Sequence, residues 1–184
     1  MKRELSSGVA KSRPTFPVAD RDHIQGPIDA PIALVEYGDY ECPYCGEAHP
    51  VVKAIQKRLG DRLCFAFRNF PLTMHPHAEH AAEAAEAAGT QGKFWEMHDL
   101  LFENQDALRD TDLAEYASTL GLDAQRLLGE VRSGAHADRI RDDFRGGARN
   151  GVNGTPTFFI NSVRYDGEIE VDALLAALNE RARK

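Results

Sequence analysis

Cys42-Pro43-Tyr44-Cys45 limits the fold of this chain more than any other stretch. It follows the apolar run Ile32-Ala33-Leu34-Val35 and precedes Val51, Val52, Ile55 and Leu59, which recur at three- and four-residue spacing. That pattern predicts a buried strand, then a helix with one apolar face against a sheet. Cys42 therefore stands at a helix N-terminus, where unpaired N–H groups and the helix dipole favour an anion. The anion here is a thiolate, the form of cysteine that attacks disulfides. Pro43 suits the first helical turn because its missing N–H had no intrahelical partner to lose.

The 184 residues suit one domain with an insertion and can bury a sizeable core. A formal charge of −7 argues against non-specific nucleic-acid binding. No apolar stretch reaches the roughly 18 residues that a membrane span needs, so no membrane insertion is expected. The basic start Met1-Lys2-Arg3 lacks the apolar core of a secretory leader. The expectation is a cytoplasmic protein, the alternative being one whose leader has been removed. Three cysteines are too few for a disulfide scaffold. Cys64, inside Leu63-Cys64-Phe65-Ala66-Phe67, reads as a small core hydrophobe in a central strand.

Residues 1–22 mix Lys, Arg, Ser and Pro without periodicity and read as a flexible arm. Strands are expected at about 32–37 and 63–68, flanking a helix from 43 to a stop at Gly60 that Pro50 should kink. Residues 75–149 change character. Ala-rich helix former from His77 to Ala88 carries Glu79, Glu83 and Glu86 on what reads as one solvated face. Helical patterns resume near 94–102, 113–120, 125–131 and 137–148, with Asp112 in a first turn and Gly121 as a stop. Phe94, Trp95 and Phe102 read as the core of this block. Strand signals return at 157–160 and 163–165 around an Asn161-Ser162 turn, and an amphipathic helix follows from Val171. The order suggests a mixed α/β sheet with helices on both faces.

Gly154-Thr155-Pro156-Thr157, opening a strand over a hundred residues after the CxxC, makes the pattern far more specific. With Tyr37-Gly38-Asp39-Tyr40-Glu41 before Cys42, and Arg68-Asn69-Phe70-Pro71-Leu72, the sequence resembles the thioredoxin superfamily. It is most similar to DsbA-like oxidoreductases, from about Ile24 to Leu178. The resemblance implies a thioredoxin-like domain from 23–74 and 150–184, with an all-helical insertion at 75–149. It implies that Cys42 is an exposed nucleophile and that Cys45 resolves the mixed disulfide. Pro43 and Tyr44 would tune the pair; glutaredoxins share the dipeptide, whereas the strong oxidant of the family has histidine in place of Tyr44. A phenol supplies no positive charge near neutral pH, so a reduction potential of roughly −130 to −250 mV is expected. Pro156 matches the superfamily's cis-proline, leaving the Thr155 backbone to pair with an extended substrate segment. Glu36, six residues before Cys42, matches the acid buried beneath the site and is a candidate proton acceptor for Cys45.

Asp39 and Glu41 read as loop-surface acids, and Asn153-Gly154-Thr155 as an unused glycosylation sequon. A bare CxxC can be half a zinc site, but no second CxxC exists here. His75, His77 and His80 lack acids in ligand register, so neither metal nor cofactor is expected. The expected partners are protein or peptide thiols and disulfides, plus a redox recycling partner. One alternative is a glutathione-dependent transferase or isomerase of the same superfamily, against which the second cysteine counts. The other is a chaperone-like or metal-binding module using the same groove.

Overall fold

The computed structural model describes residues 17–183. Its strands are β1 (His23–Gln25), β2 (Ile32–Gly38), β3 (Leu63–Asn69), β4 (Thr157–Ile160) and β5 (Val163–Tyr165). They form a sheet of order β1-β3-β2-β4-β5, in which β2 and β3 are parallel and every other pair is antiparallel. The parallel pair needs a crossover, and α1 (Pro43–Leu59) supplies it. Between β3 and β4 lie α2 (Ala78–Thr90), α3 (Phe94–Glu103), α4 (Asp110–Thr119), α5 (Ala124–Ser133) and α6 (Ala137–Arg149). α7 (Val171–Arg181) closes the chain. The β4–β5 turn uses Asn161 and Ser162 at φ of 46° and 67°, the positive values that a two-residue hairpin demands.

The two-residue period of the strands sorts side chains between two cores. Ile32 and Leu34 of β2, Leu63, Phe65 and Phe67 of β3, and Phe158 and Ile160 of β4 join the core containing α1, α7 and α2–α5. Val35, Tyr37, Ala66 and Phe159 face the other way and meet Phe70 and Val152, with Phe144 of α6 packed against them. Gly147 lets α6 approach closely: an added Cβ would stand 2.9 Å from the Tyr37 ring and 3.0 Å from Phe70. Phe94 and Phe102 are buried as expected, but in the core that also holds α1 and β3 rather than in one of their own.

Three expectations need correction. The first concerns the acids of α2. Glu79 is exposed, but Glu83 and Glu86 are buried, because the helix lies at the centre of its block and its alanines are covered nearly all round. Distant polar groups make this tolerable. Glu83 accepts the His136 backbone N–H at 2.9 Å, while Glu86 accepts from Asn69 Nδ2 at 2.8 Å and meets His23 Nε2 at 2.8 Å. The second concerns Asp39, whose side chain is fully buried rather than on the loop surface. The third concerns the arm. Residues 1–16 lie outside the described residues, but 17–22 are held in place. Arg68 donates Nε and Nη2 to the two Asp22 carboxylate oxygens at 2.9 and 2.8 Å, and Nη2 also reaches the Pro17 carbonyl. β1 itself was not anticipated; three half-buried residues carry too little pattern to read.

Candidate active site

Cys42 caps the N-terminus of α1, and Pro43 opens its first turn. The N–H groups of Cys45 and Gly46 both donate to the Cys42 carbonyl at 3.1 Å. The Cys42 Sγ points at the Thr155 carbonyl, 3.4 Å away, across the Thr155–Pro156 peptide bond, which is cis. That orientation covers it: Cys42 is 4% exposed, against the expectation of an exposed nucleophile, while Tyr44 beside it is 68% exposed. The Cys42 thiol is pushed down to about 5. The largest cause is the hydrogen bond from Cys45, followed, against burial, by Thr155 and the backbone of Cys45 and Tyr44. The buried Thr155 hydroxyl has no hydrogen-bond partner among the described residues and is free to donate to a thiolate.

Cys45 is the opposite case. It is fully buried, and burial, the bond to Cys42 and the charge of Glu36 push its thiol well above the ordinary value. Its Sγ accepts the Asp39 N–H at 3.5 Å. The two sulfurs thus share an environment while holding their protons very unequally.

Glu36 lies on the sheet face that α1 covers, in register with Phe67 on β3 and Phe158 on β4. Those neighbours strip it of solvent, and its Oε1 has no hydrogen-bond partner among the described residues. Burial, and then the charge of Cys42, raise its carboxyl to about 8. The register explains the placement: Glu36 takes the inward position next after Leu34.

Sequence reasoning missed a second layer. Asp39 accepts the Glu41 N–H and the Leu72 N–H at 2.8 Å each, and meets His75 Nδ1 at 2.7 Å. Glu41 accepts the His77 N–H at 2.6 Å. The segment 72–77 is therefore fastened to the loop before Cys42 by the two acids. Burial alone would lower His75, but the Asp39 bond, with the charges of Asp39, Cys42 and Glu41, raises it. Gln105, in the turn after α3, donates to the Tyr40 and Cys42 carbonyls at 2.9 and 2.8 Å. Any Cβ at Gly46 would collide with its amide. Nothing near Gln105 in the sequence marks it, since its partners lie over sixty residues away. Cys64 is buried within β3, as expected for a core residue. His75 and His77 are engaged as above, and His80 Nδ1 meets Asp110 at 3.1 Å.

A family profile described as Thioredoxin matches residues 19–180. The solved thioredoxin-like oxidoreductase of Silicibacter pomeroyi superposes with a TM-score of 0.79 at 26% identity, covering 90% of this chain and 94% of that one. This chain is a DsbA-like member of the thioredoxin superfamily. DsbA2 of Pseudomonas aeruginosa gives a TM-score of 0.71 at 27% identity, over 88% of this chain and 94% of that one. For fold alone, BdbD of Bacillus subtilis gives a TM-score of 0.82 at 23% identity, over 94% and 99% of the two chains. In sequence, the Na(+)/H(+) antiporter NhaA 1 of Salinispora arenicola is 49% identical over 160 residues, 86% of this chain and 24% of that protein. The chain spans about a quarter of the length of the curated relatives it matches.

Proposed function

We propose that this DsbA-like chain is a thiol:disulfide oxidoreductase module that exchanges disulfides with protein or peptide substrates through Cys42 and Cys45. What carries this reading is the unequal hold on protons within the pair: Cys42 at about 5 and Cys45 well above its ordinary value. At neutral pH one sulfur is a thiolate ready to attack or to leave, and the other a protected thiol. In the reductive direction, the Cys42 thiolate attacks a substrate disulfide and forms a mixed disulfide, and the first substrate sulfur leaves as a thiolate. Cys45 then gives up its proton, with the ionised form of Glu36 as acceptor, and attacks the Cys42 sulfur; loss of the Cys42 charge in the mixed disulfide favours that form. The second substrate sulfur leaves and a Cys42–Cys45 disulfide remains. Oxidation of a substrate dithiol runs the same steps backwards. Either direction needs a recycling partner to restore the pair. Thr155 and Pro156 face Cys42 and offer backbone for an extended substrate segment.

The antiporter relatives set a second question. Among the described residues no helix is long and apolar enough to cross a membrane. We assign the quarter they share with this chain to thiol exchange rather than to ion passage.

The test is to replace Cys45 with alanine and isolate mixed disulfides on Cys42. Protein or peptide partners are the expected yield, and Cys42→Ser should abolish it. Recovery of glutathione alone would move the assignment to the glutathione-dependent alternative, and recovery of nothing would overturn it.

A further inference from the structure

His49, His98 and Asp99 stand together, although the sequence separates the first from the others by about fifty residues. One candidate ligand atom from each lies within 4.8 Å of the other two. His49 Nε2 is 3.4 Å from Asp99 Oδ1. That is close to the spacing of two ligands on a tetrahedral ion with bonds of about 2.0–2.1 Å. His49 belongs to α1, one turn beyond Cys45, while His98 and Asp99 belong to α3.

From this geometry we infer a zinc-type site, two imidazoles and a carboxylate, that clips the helix carrying the cysteine pair to the helical block. Two of the three donors are already oriented by a polar group outside the set. The Tyr40 hydroxyl meets His98 Nδ1 at 3.0 Å; with Nδ1–H donating to that oxygen, Nε2 is the nitrogen that can bind an ion. Supporting bonds of this kind hold metal-ligating histidines in position. Lys53 Nζ holds Asp99 Oδ2 at 2.7 Å, while Asp99 Oδ1 is buried and accepts no hydrogen bond among the described residues. Phe67, Phe102 and Trp95 pack around the His98 ring and fix it. His49 and Asp99, with side chains 9% and 30% exposed, form the open side and close on the ion. Solvent enters there, and a water can complete four-coordination. The donor set of two nitrogens and one oxygen suits zinc better than calcium or magnesium, which take oxygen ligands.

The ion pair of Lys53 with Asp99 is the competing use of these groups, so the test must see the metal itself. Cys42→Ser/Cys45→Ser protein removes thiolate binding by the pair. It is dialysed against micromolar zinc chloride, and bound zinc is counted by atomic absorption. One zinc per chain is expected, with cobalt(II) at the same site giving the intense visible bands of a four-coordinate ion. His49→Gln and Asp99→Asn should each lower affinity at least tenfold, and Tyr40→Phe by about 10- to 100-fold. Thermal unfolding of the same Cys42→Ser/Cys45→Ser protein needs no ligand variant. Its midpoint should rise with zinc and stay unchanged with magnesium. Zinc retained only when the cysteines are present, or retained equally by His49→Gln and Asp99→Asn, would overturn the site. So would an unmoved midpoint. None of these outcomes bears on thiol exchange, which the serine variant lacks by construction.

Discussion

Glu36→Gln should change how the stability of this protein depends on pH, and the change should differ between its two redox states. The Glu36 carboxyl is raised from 4.5 to about 8, chiefly by burial between Phe67 and Phe158. A carboxyl raised in this way binds its proton more tightly when folded. The native state then holds more protons than the unfolded chain between about pH 4.5 and 8, and stability falls as pH rises through that window. The loss approaches about 1.4 kcal/mol per pH unit and amounts to about 3 kcal/mol by pH 7. Cys42 runs the other way, because its thiol is lowered from 9.0 to about 5. In the reduced protein its thiolate contributes stability that is complete above pH 9 and is lost as pH falls through 5. The two slopes therefore nearly cancel between pH 5 and 8 when the pair is reduced. In the oxidised protein Cys42 carries no proton and no longer opposes the fall due to Glu36, while Glu36 keeps burial as the chief cause of its shift and loses the Cys42 charge. Urea unfolding at half-unit steps from pH 4.5 to 8.5 in both redox states measures this. Oxidised wild type should lose stability with pH, and oxidised Glu36→Gln should lack most of that loss, the part due to burial, with about 3 kcal/mol at pH 7 as its upper bound. Reduced Glu36→Gln should gain stability as pH rises above 5. Parallel curves for oxidised wild type and Glu36→Gln would refute the argument, because other buried acids, such as Asp143 at about 6, are common to both.

Iodoacetamide alkylation of Cys42 should follow a single titration centred near pH 5, and Thr155→Val should move it upward by removing a hydroxyl donor to the thiolate. A midpoint near 9 in the wild type would remove the basis of the proposed chemistry. Glutathione titration should place the reduction potential between roughly −130 and −250 mV, with a value below that of thioredoxin, about −270 mV, contradicting it. Asp22→Asn should cost about 3–5 kcal/mol in denaturant unfolding, since it leaves the buried Arg68 guanidinium without its bidentate partner. A loss under 1 kcal/mol would show that Arg68 finds other acceptors at no cost.

Much of the framework was legible because strands and helices announce themselves by period. The runs at Ile32–Gly38 and Leu63–Asn69, the hairpin at 157–165 and the helix after Cys42 all lie where the apolar pattern puts them. The position of Glu36 was legible for the same reason, through alternation from Leu34. What escaped were contacts whose two halves lie far apart in the chain. Glu83 and Glu86 look solvated because their helix is mostly alanine, and alanine gives no moment strong enough to say which face is inside. Their partners His136, His23 and Asn69 are known only once the helices are packed. His98 and Asp99 look like ordinary residues of an amphipathic helix until α1 brings His49 beside them. Local pattern reads elements; it does not read which polar groups those elements will trap together.

That distinction matters most beside the nucleophile. Asp39 and Glu41, three residues and one residue before Cys42, should oppose a thiolate if their charges faced it. Instead each carboxylate accepts backbone N–H groups from 72–77 or its own loop, and Asp39 also holds His75. Neutral groups lower the Cys42 thiol instead: the Cys45 thiol first, then Thr155 and the backbone of Cys45 and Tyr44. Such dipoles, some of them fixed at a helix N-terminus, stabilise an anion without a positive charge on the residue between the cysteines. A tyrosine between the cysteines is therefore compatible with a strongly acidic Cys42, because the stabilising groups are the Cys45 thiol, the backbone and the facing loop. Tyr44 itself is exposed to solvent, while the thiolate is held from behind.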